Sequence, residues 1–169
     1  MSAADTYRVL VVDDDRSVLT TYQLILERQG YEVKACGTSV EAIAALQKKS
    51  FDAVLCDYSL EEQHTGFEVI TAARKRDPSV PAVLLTGYAT NETADEAAAK
   101  KIGIMYKPIE IEEFLATTAK MLGRDNEPNQ ENDKKSGSTS PQGGGQGRQQ
   151  QQRSGGGVQR RSPGGTIKK

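Results

Sequence analysis

The chain has 169 residues, enough for one domain with a real core, and 22 Lys+Arg against 23 Asp+Glu leave it at −1. The near-neutral total hides a split: residues 124–169 hold nine basic residues against four acids, a net of +5, so residues 1–123 sum to −6. No apolar run approaches the ~18 residues of a membrane-spanning helix, the N-terminus lacks a signal-peptide pattern, and neither Cys36 nor Cys56 has a CxxC partner, so a reducing, cytoplasmic setting is expected.

In chain order, Tyr7 to Val12 is an apolar run, the signature of a strand buried on both faces. It ends in Asp13-Asp14-Asp15. Val18, Leu19, Tyr22, Ile25 and Leu26 recur at helical spacing between Arg16 and Gln29, with Gly30 as the stop. Tyr31 to Cys36 alternates and predicts an edge strand. Thr38-Ser39-Val40-Glu41 reads as a capping box and opens a helix with Val40, Ile43, Ala44 and Leu46 as its inner face. Phe51 to Cys56 predicts a third strand, ending at Asp57. A loop follows through Glu61, Glu62, Gln63 and His64. His64 reads as a surface residue, since no second soft ligand lies nearby.

Gly66 opens a helix with Phe67, Val69, Ile70 and Ala73 inward, and Asp77-Pro78 ends it. Ala82 to Thr86 predicts a fourth strand, broken by Gly87. Asn91 to Lys101 is helical. Ile104-Met105-Tyr106 is a short fifth strand, ended by Lys107-Pro108. Glu110 to Leu122 is the last helix, apolar at Ile111, Phe114, Leu115, Ala119 and Leu122. Strands alternating with helices imply an α/β fold with a parallel sheet covered on both faces. Residues 1–123 are expected to form this domain. Residues 124–169, with ten Gly and eight Gln, are expected to be a disordered, low-complexity basic tail. Its cations could touch nucleic acid by counterion release. It offers no aromatic to stack on bases, so nucleic-acid binding is not favoured, and no membrane contact is expected.

Four strand ends carry chemistry: Asp13 and Asp14, Asp57, Thr86, and Lys107. In an open α/β sheet that rim is where ligands bind. Three carboxylates gathered there need a counter-charge, and an all-oxygen cluster suits a hard cation such as Mg²⁺. Lys107 would meet phosphoryl oxygens as a point charge and Thr86 as a hydroxyl donor. Asp57 is left with two roles, metal ligand or phosphorylated nucleophile.

With Val-Val-Asp-Asp at 11–14, Val-Leu-Cys-Asp at 54–57, Leu-Leu-Thr-Gly at 84–87 and Lys-Pro at 107–108, the chain resembles the receiver domain of bacterial two-component response regulators across residues 7–122. The resemblance implies a flavodoxin-like strand order 2-1-3-4-5. It also implies phosphoryl transfer to Asp57 from a sensor histidine kinase or a histidine phosphotransfer protein. Mg²⁺ would be held by Asp14, Asp57 and the Ser59 carbonyl, with Asp13 helping through water. Thr86 and Lys107 would sense the phosphoryl group and shift the face of helix four, strand five and helix five toward an unknown downstream protein. Ser59 and Tyr88 would tune how long the phosphoryl group lasts, and Tyr58 and Gly87 flank the same site. Such a protein would be a signalling phosphoacceptor in a phosphorelay rather than an enzyme in the ordinary sense, though it would act on its own phosphoryl group.

Three departures stand out. The loop from Asp57 to Gly66 is one residue longer than usual and lacks the common Pro. The aromatic switch position falls on Ile104, with Tyr106 at the same strand parity. No output domain follows Gly123, which suggests a stand-alone regulator. Two other readings compete. One is a degenerate receiver serving as an unphosphorylated scaffold. The other is a haloacid-dehalogenase-type phosphatase using Asp13, Asp15 and Ser17, which lacks that family's later acidic pair.

Overall fold

The apolar runs at 9–12, 53–56 and 82–85 become three central strands whose side chains lie at 5% exposure or less. The computed structural model describes residues 6–124, so the expected disordered tail lies outside the described residues. The elements are β1 (Arg8–Val12), α1 (Arg16–Arg28), β2 (Glu32–Cys36), α2 (Ser39–Lys48), β3 (Ala53–Asp57), a 3-10 turn (Glu61–Gln63), α3 (Gly66–Arg76), β4 (Ala82–Thr86), α4 (Asn91–Ala99), β5 (Gly103–Tyr106) and α5 (Ile111–Met121). The strands form one sheet in the order β2-β1-β3-β4-β5. All pairs are parallel. Of the two edge strands, β2 alternates in burial as a half-covered strand does, whereas in β5 Ile104 is partly buried in one core layer and Met105 buried in the other.

Strand alternation sorts the core into two layers. Leu10, Val12, Val54, Cys56 and Leu84 pack with Leu46 of α2, Phe67 and Ile70 of α3 and Ala97 of α4. Val9, Val11, Leu55, Val83 and Leu85 face the other way, onto Tyr22 and Leu26 of α1 and Phe114 of α5. Tyr22 stacks on Phe114, with ring centroids 4.4 Å apart. Both cysteines are free and buried. Among the described residues, no helix is long and apolar enough to cross a membrane.

The ends of the helices follow local chemistry. Asp15 caps α1 by accepting from the amides of Ser17 at 2.9 Å and Val18 at 3.2 Å. Gly30 takes a positive φ of 88° just past that helix. α2 departs from the expected pattern twice. Only half of the capping box forms: Thr38 Oγ1 accepts from the Glu41 amide, while Glu41 reaches the Gly37 amide instead. Its inner face is Ser39, Ala42 and Leu46, and Val40 is 68% exposed. Leu46 is inward as expected, and Ser39, also buried, donates its amide and hydroxyl to Glu61. In α5, Ile111 stays exposed, whereas Thr118 is buried with its hydroxyl donating to the Phe114 carbonyl.

Candidate functional site

Parallel strands deliver all their carboxyl ends to one rim, so Asp13, Asp57, Thr86 and Lys107 arrive there together. Asp13 directly follows β1 and is wholly buried. Its Oδ1 accepts from the Asp15 amide at 2.9 Å. Its Oδ2 accepts from Lys107 Nζ, also at 2.9 Å. Asp57 is the last residue of β3 and lies 3.4 Å from the same ammonium. Lys107 follows β5, and its amide prolongs the ladder by donating to the Thr86 carbonyl at 2.8 Å. The peptide between Lys107 and Pro108 is cis.

Asp13, Asp14 and Asp57 each offer a carboxylate oxygen within 4.8 Å of the others. Burial pushes the Asp57 carboxyl up to about 6, and its acidic neighbours add to this against the pull of Lys107. Burial pulls the Lys107 ammonium down, but the hydrogen bond to Asp13 and the two carboxylate charges outweigh it, so its pKa is raised. One lysine thus faces three acids, the imbalance that a hard divalent cation would correct.

The expected modulating residues are placed as follows. Tyr58 packs edge-on against Phe67, and its amide donates to the Leu85 carbonyl. Ser59 sits at the base of the loop, bridged to Thr65. The Thr86 hydroxyl is engaged in its own turn, donating to the Tyr88 carbonyl at 2.7 Å. A methyl group on Gly87 would meet nothing within 4 Å. Tyr88 and Tyr106 point to solvent, 77% and 55% exposed, while Ile104 packs against the α2–α3 core layer. Asp57, Ser59, Thr86, Tyr88, Glu92 and Lys107 line a common cleft. Asp15, needed by the phosphatase reading, is spent on capping α1. His64 pairs with Glu68 at 2.6 Å.

Three residues gain a part that their sequence context did not announce. A methyl group on Gly66 would come 2.5 Å from the Asp57 carbonyl and 2.6 Å from Leu84 Cδ2, so α3 can begin there only without a side chain. Tyr22, which reads as a core residue, lies within electrostatic reach of Lys107, Asp13 and Asp57, and burial raises its phenol pKa. Glu61 in the loop after Asp57 bonds the first residue of α2.

Residues 9–119 match the family model described as the response regulator receiver domain. The chain is 32% identical over 115 residues to the transcriptional regulatory protein ZraR of Klebsiella oxytoca, covering 68% of this chain and 26% of that protein. It therefore spans about a quarter of the length of that curated relative. Among solved structures, it is similar to the CheY-like receiver domain protein of Methanospirillum hungatei, with a TM-score of 0.66, 29% identity, and coverage of 72% of this chain and 97% of that one. It is also similar to the chemotaxis response regulator CheY4 of Vibrio cholerae, with a TM-score of 0.63, 32% identity, and coverage of 69% and 99%.

Proposed function

Because the chain belongs to the response regulator receiver-domain family, we propose that Asp57 accepts a phosphoryl group from a sensor histidine kinase or a histidine phosphotransfer protein in a two-component system. The supporting observation is the Lys107 ammonium lying between Asp13 at 2.9 Å and Asp57 at 3.4 Å, with the Asp14 carboxylate alongside. A carboxylate oxygen of Asp57 attacks phosphorus, the P–N bond of the phosphohistidine breaks, and the imidazole nitrogen keeps the electron pair. The product is an acyl phosphate, which water later cleaves.

In this reading Asp14, Asp57 and the Ser59 carbonyl hold Mg²⁺, with Asp13 acting through water. When bound, Mg²⁺ supplies neutralisation of charge on the phosphoryl oxygens. Lys107 moves its weaker contact from Asp57 to a phosphoryl oxygen and keeps Asp13. Thr86 gives up the Tyr88 carbonyl to donate to the same group. The output is a protein contact through α4, β5 and α5, where Tyr106 and Ile111 are already exposed, with Tyr88 exposed in the loop just before α4. Residues 124–169 act as a separate basic segment outside the receiver domain.

The test is phosphotransfer profiling against sensor kinases of the source organism, together with acetyl phosphate and Mg²⁺, followed by mapping of the acyl phosphate. Label on Asp57 that vanishes in Asp57→Asn supports the reading. Label on Asp13, or label that survives the substitution, defeats it. A protein that no phosphodonor labels is a scaffold instead.

A further inference from the structure

The loop after Asp57 is closed on itself. Gly66 N donates to the Tyr58 carbonyl at 2.8 Å, and Leu60 N donates to the His64 carbonyl at 2.9 Å. His64 N donates to the Glu61 carbonyl at 2.8 Å. Leu60 is buried in the core. At its far turn, Glu62 and Gln63 adopt left-handed φ values of 48° and 68°. Such backbone is costly for a non-glycine residue and persists only where the surroundings enforce it.

The loop is tied to α2 through Glu61. Its Oε1 accepts from the Ser39 amide at 2.6 Å and from the Ser39 hydroxyl. Ser39 is 1% exposed. A helix leaves its first amides without internal partners. In α2 the Thr38 side chain serves only the Glu41 amide, so Glu61 supplies an acceptor from another part of the chain. Burial raises the Glu61 carboxyl, but the hydrogen bonds from Ser39 and the neighbouring amides outweigh it, and the group stays below its usual range. Glu61 is not among the three carboxylates that converge at the rim. Any influence it has there passes through the short stretch of backbone separating it from Ser59.

We propose that Glu61 is a positioning residue: docked on the N-terminus of α2, it fixes the backbone of residues 58–60 beside Asp57 and thereby sets the affinity of the rim for a divalent cation. The proposal rests on the metal-assisted phosphoacceptor reading for the identity of that ligand. The extra loop residue and the missing proline then have a use, because the longer loop reaches a neighbouring helix that can hold it.

The experiment is an NMR titration with Mg²⁺ alone, on the wild type, Glu61→Ala, Glu61→Gln, Ser39→Ala and Asp57→Asn. Amide hydrogen exchange of residues 58–65 is measured on the same samples without metal. Glu61→Ala is expected to weaken Mg²⁺ binding roughly tenfold, the scale seen when a residue orienting a metal ligand is removed. It should also speed exchange across 58–65. Glu61→Gln, which keeps an oxygen acceptor, should recover most of the affinity, and Ser39→Ala should fall between. If Glu61→Ala melts earlier yet binds Mg²⁺ within about twofold of the wild type, Glu61 is only structural and the proposal is overturned. It is overturned as well if Glu61→Gln and Ser39→Ala both bind as the wild type does. If the wild type shows no Mg²⁺-dependent shifts, or Asp57→Asn binds equally well, the phosphoacceptor reading itself fails and takes this proposal with it.

Discussion

The β3–α3 loop and the β4–α4 loop both border Asp57, but they are held in opposite ways. Residues 58–65 bond one another, bury Leu60 and tie Glu61 to α2. Residues 87–89 do little of this: Thr86 and Tyr88 bond each other, Gly87 stands in open space, and the Tyr88 ring faces solvent. The first loop is set before any ligand arrives. The second can rearrange at the cost of the two hydrogen bonds that the Thr86 hydroxyl makes with Tyr88. For the proposed phosphoacceptor, the first loop would hold the group and the second would respond to it.

The two glycines flanking the site give the largest expected contrast. Gly66→Ala drives a methyl group into the Asp57 carbonyl and Leu84, and backbone cannot yield as a side-chain tip can. It should cost about 3 kcal/mol by the usual scale of overpacking. Gly87→Ala should stay within about 0.5 kcal/mol, as for an ordinary surface position. Urea unfolding of the pair measures the difference, and equal costs would erase the distinction between the loops.

Next in size is Asp57 itself. Burial pushes its carboxyl from the ordinary 3.8 up to about 6 in the folded protein. A raised carboxyl binds its proton more tightly in the native state. Its contribution is therefore complete below pH 3.8 and lost as pH rises through 6. At pH 7 the ionised Asp57 opposes folding, and Asp57→Asn should stabilise by at most about 3 kcal/mol. That gain should shrink to nothing near about pH 3.5. Melting temperatures of both proteins across roughly pH 3.5–8 provide the check, and a gain that is flat with pH would show that the strain at this rim is not electrostatic.

Smaller still, Glu61→Ala should lower stability by about 1 kcal/mol, the scale of a lost helix cap. Amide exchange should show the loss in the first turn of α2 as well as in residues 58–65. The least effect belongs to Gln63→Gly. It relieves a left-handed residue but adds freedom to the unfolded chain, for a net gain of roughly 0.5 kcal/mol. A loss there would mean that the Gln63 side chain contributes something beyond its backbone angle.

Much of this was legible from residue order. Continuous apolar runs can hardly be anything but doubly covered strands, and once the helices alternate with them the rim assembles itself. That made Asp57, Asp13 and Lys107 readable as neighbours although 94 residues separate the last two. The face of α2 was only partly readable: Leu46 is inward as expected, but Val40 is exposed and Ser39 is buried, where it bonds Glu61. That contact spans 22 residues and leaves no periodic trace. Gly66 looked like a helix opener because the closeness of the Asp57 carbonyl exists only in three dimensions. The resting direction of the Thr86 hydroxyl is likewise a property of a turn, not of a residue type.

One consequence of the all-parallel sheet reaches beyond the rim. Every helix points its N-terminus the same way, and nearly every end carries the charge its dipole favours. Glu41, Glu68, Glu92, Glu112 and Glu113 occupy first turns, while Arg28, Lys48, Arg74, Lys75, Arg76 and Lys120 occupy last turns. The first-turn acids therefore gather on the side of the sheet that carries Asp57, and the last-turn cations on the side away from it. On the proposed reading, cations and a basic partner surface would be drawn toward that acidic side, and the attraction would fade once salt shortens the screening length to about 8 Å.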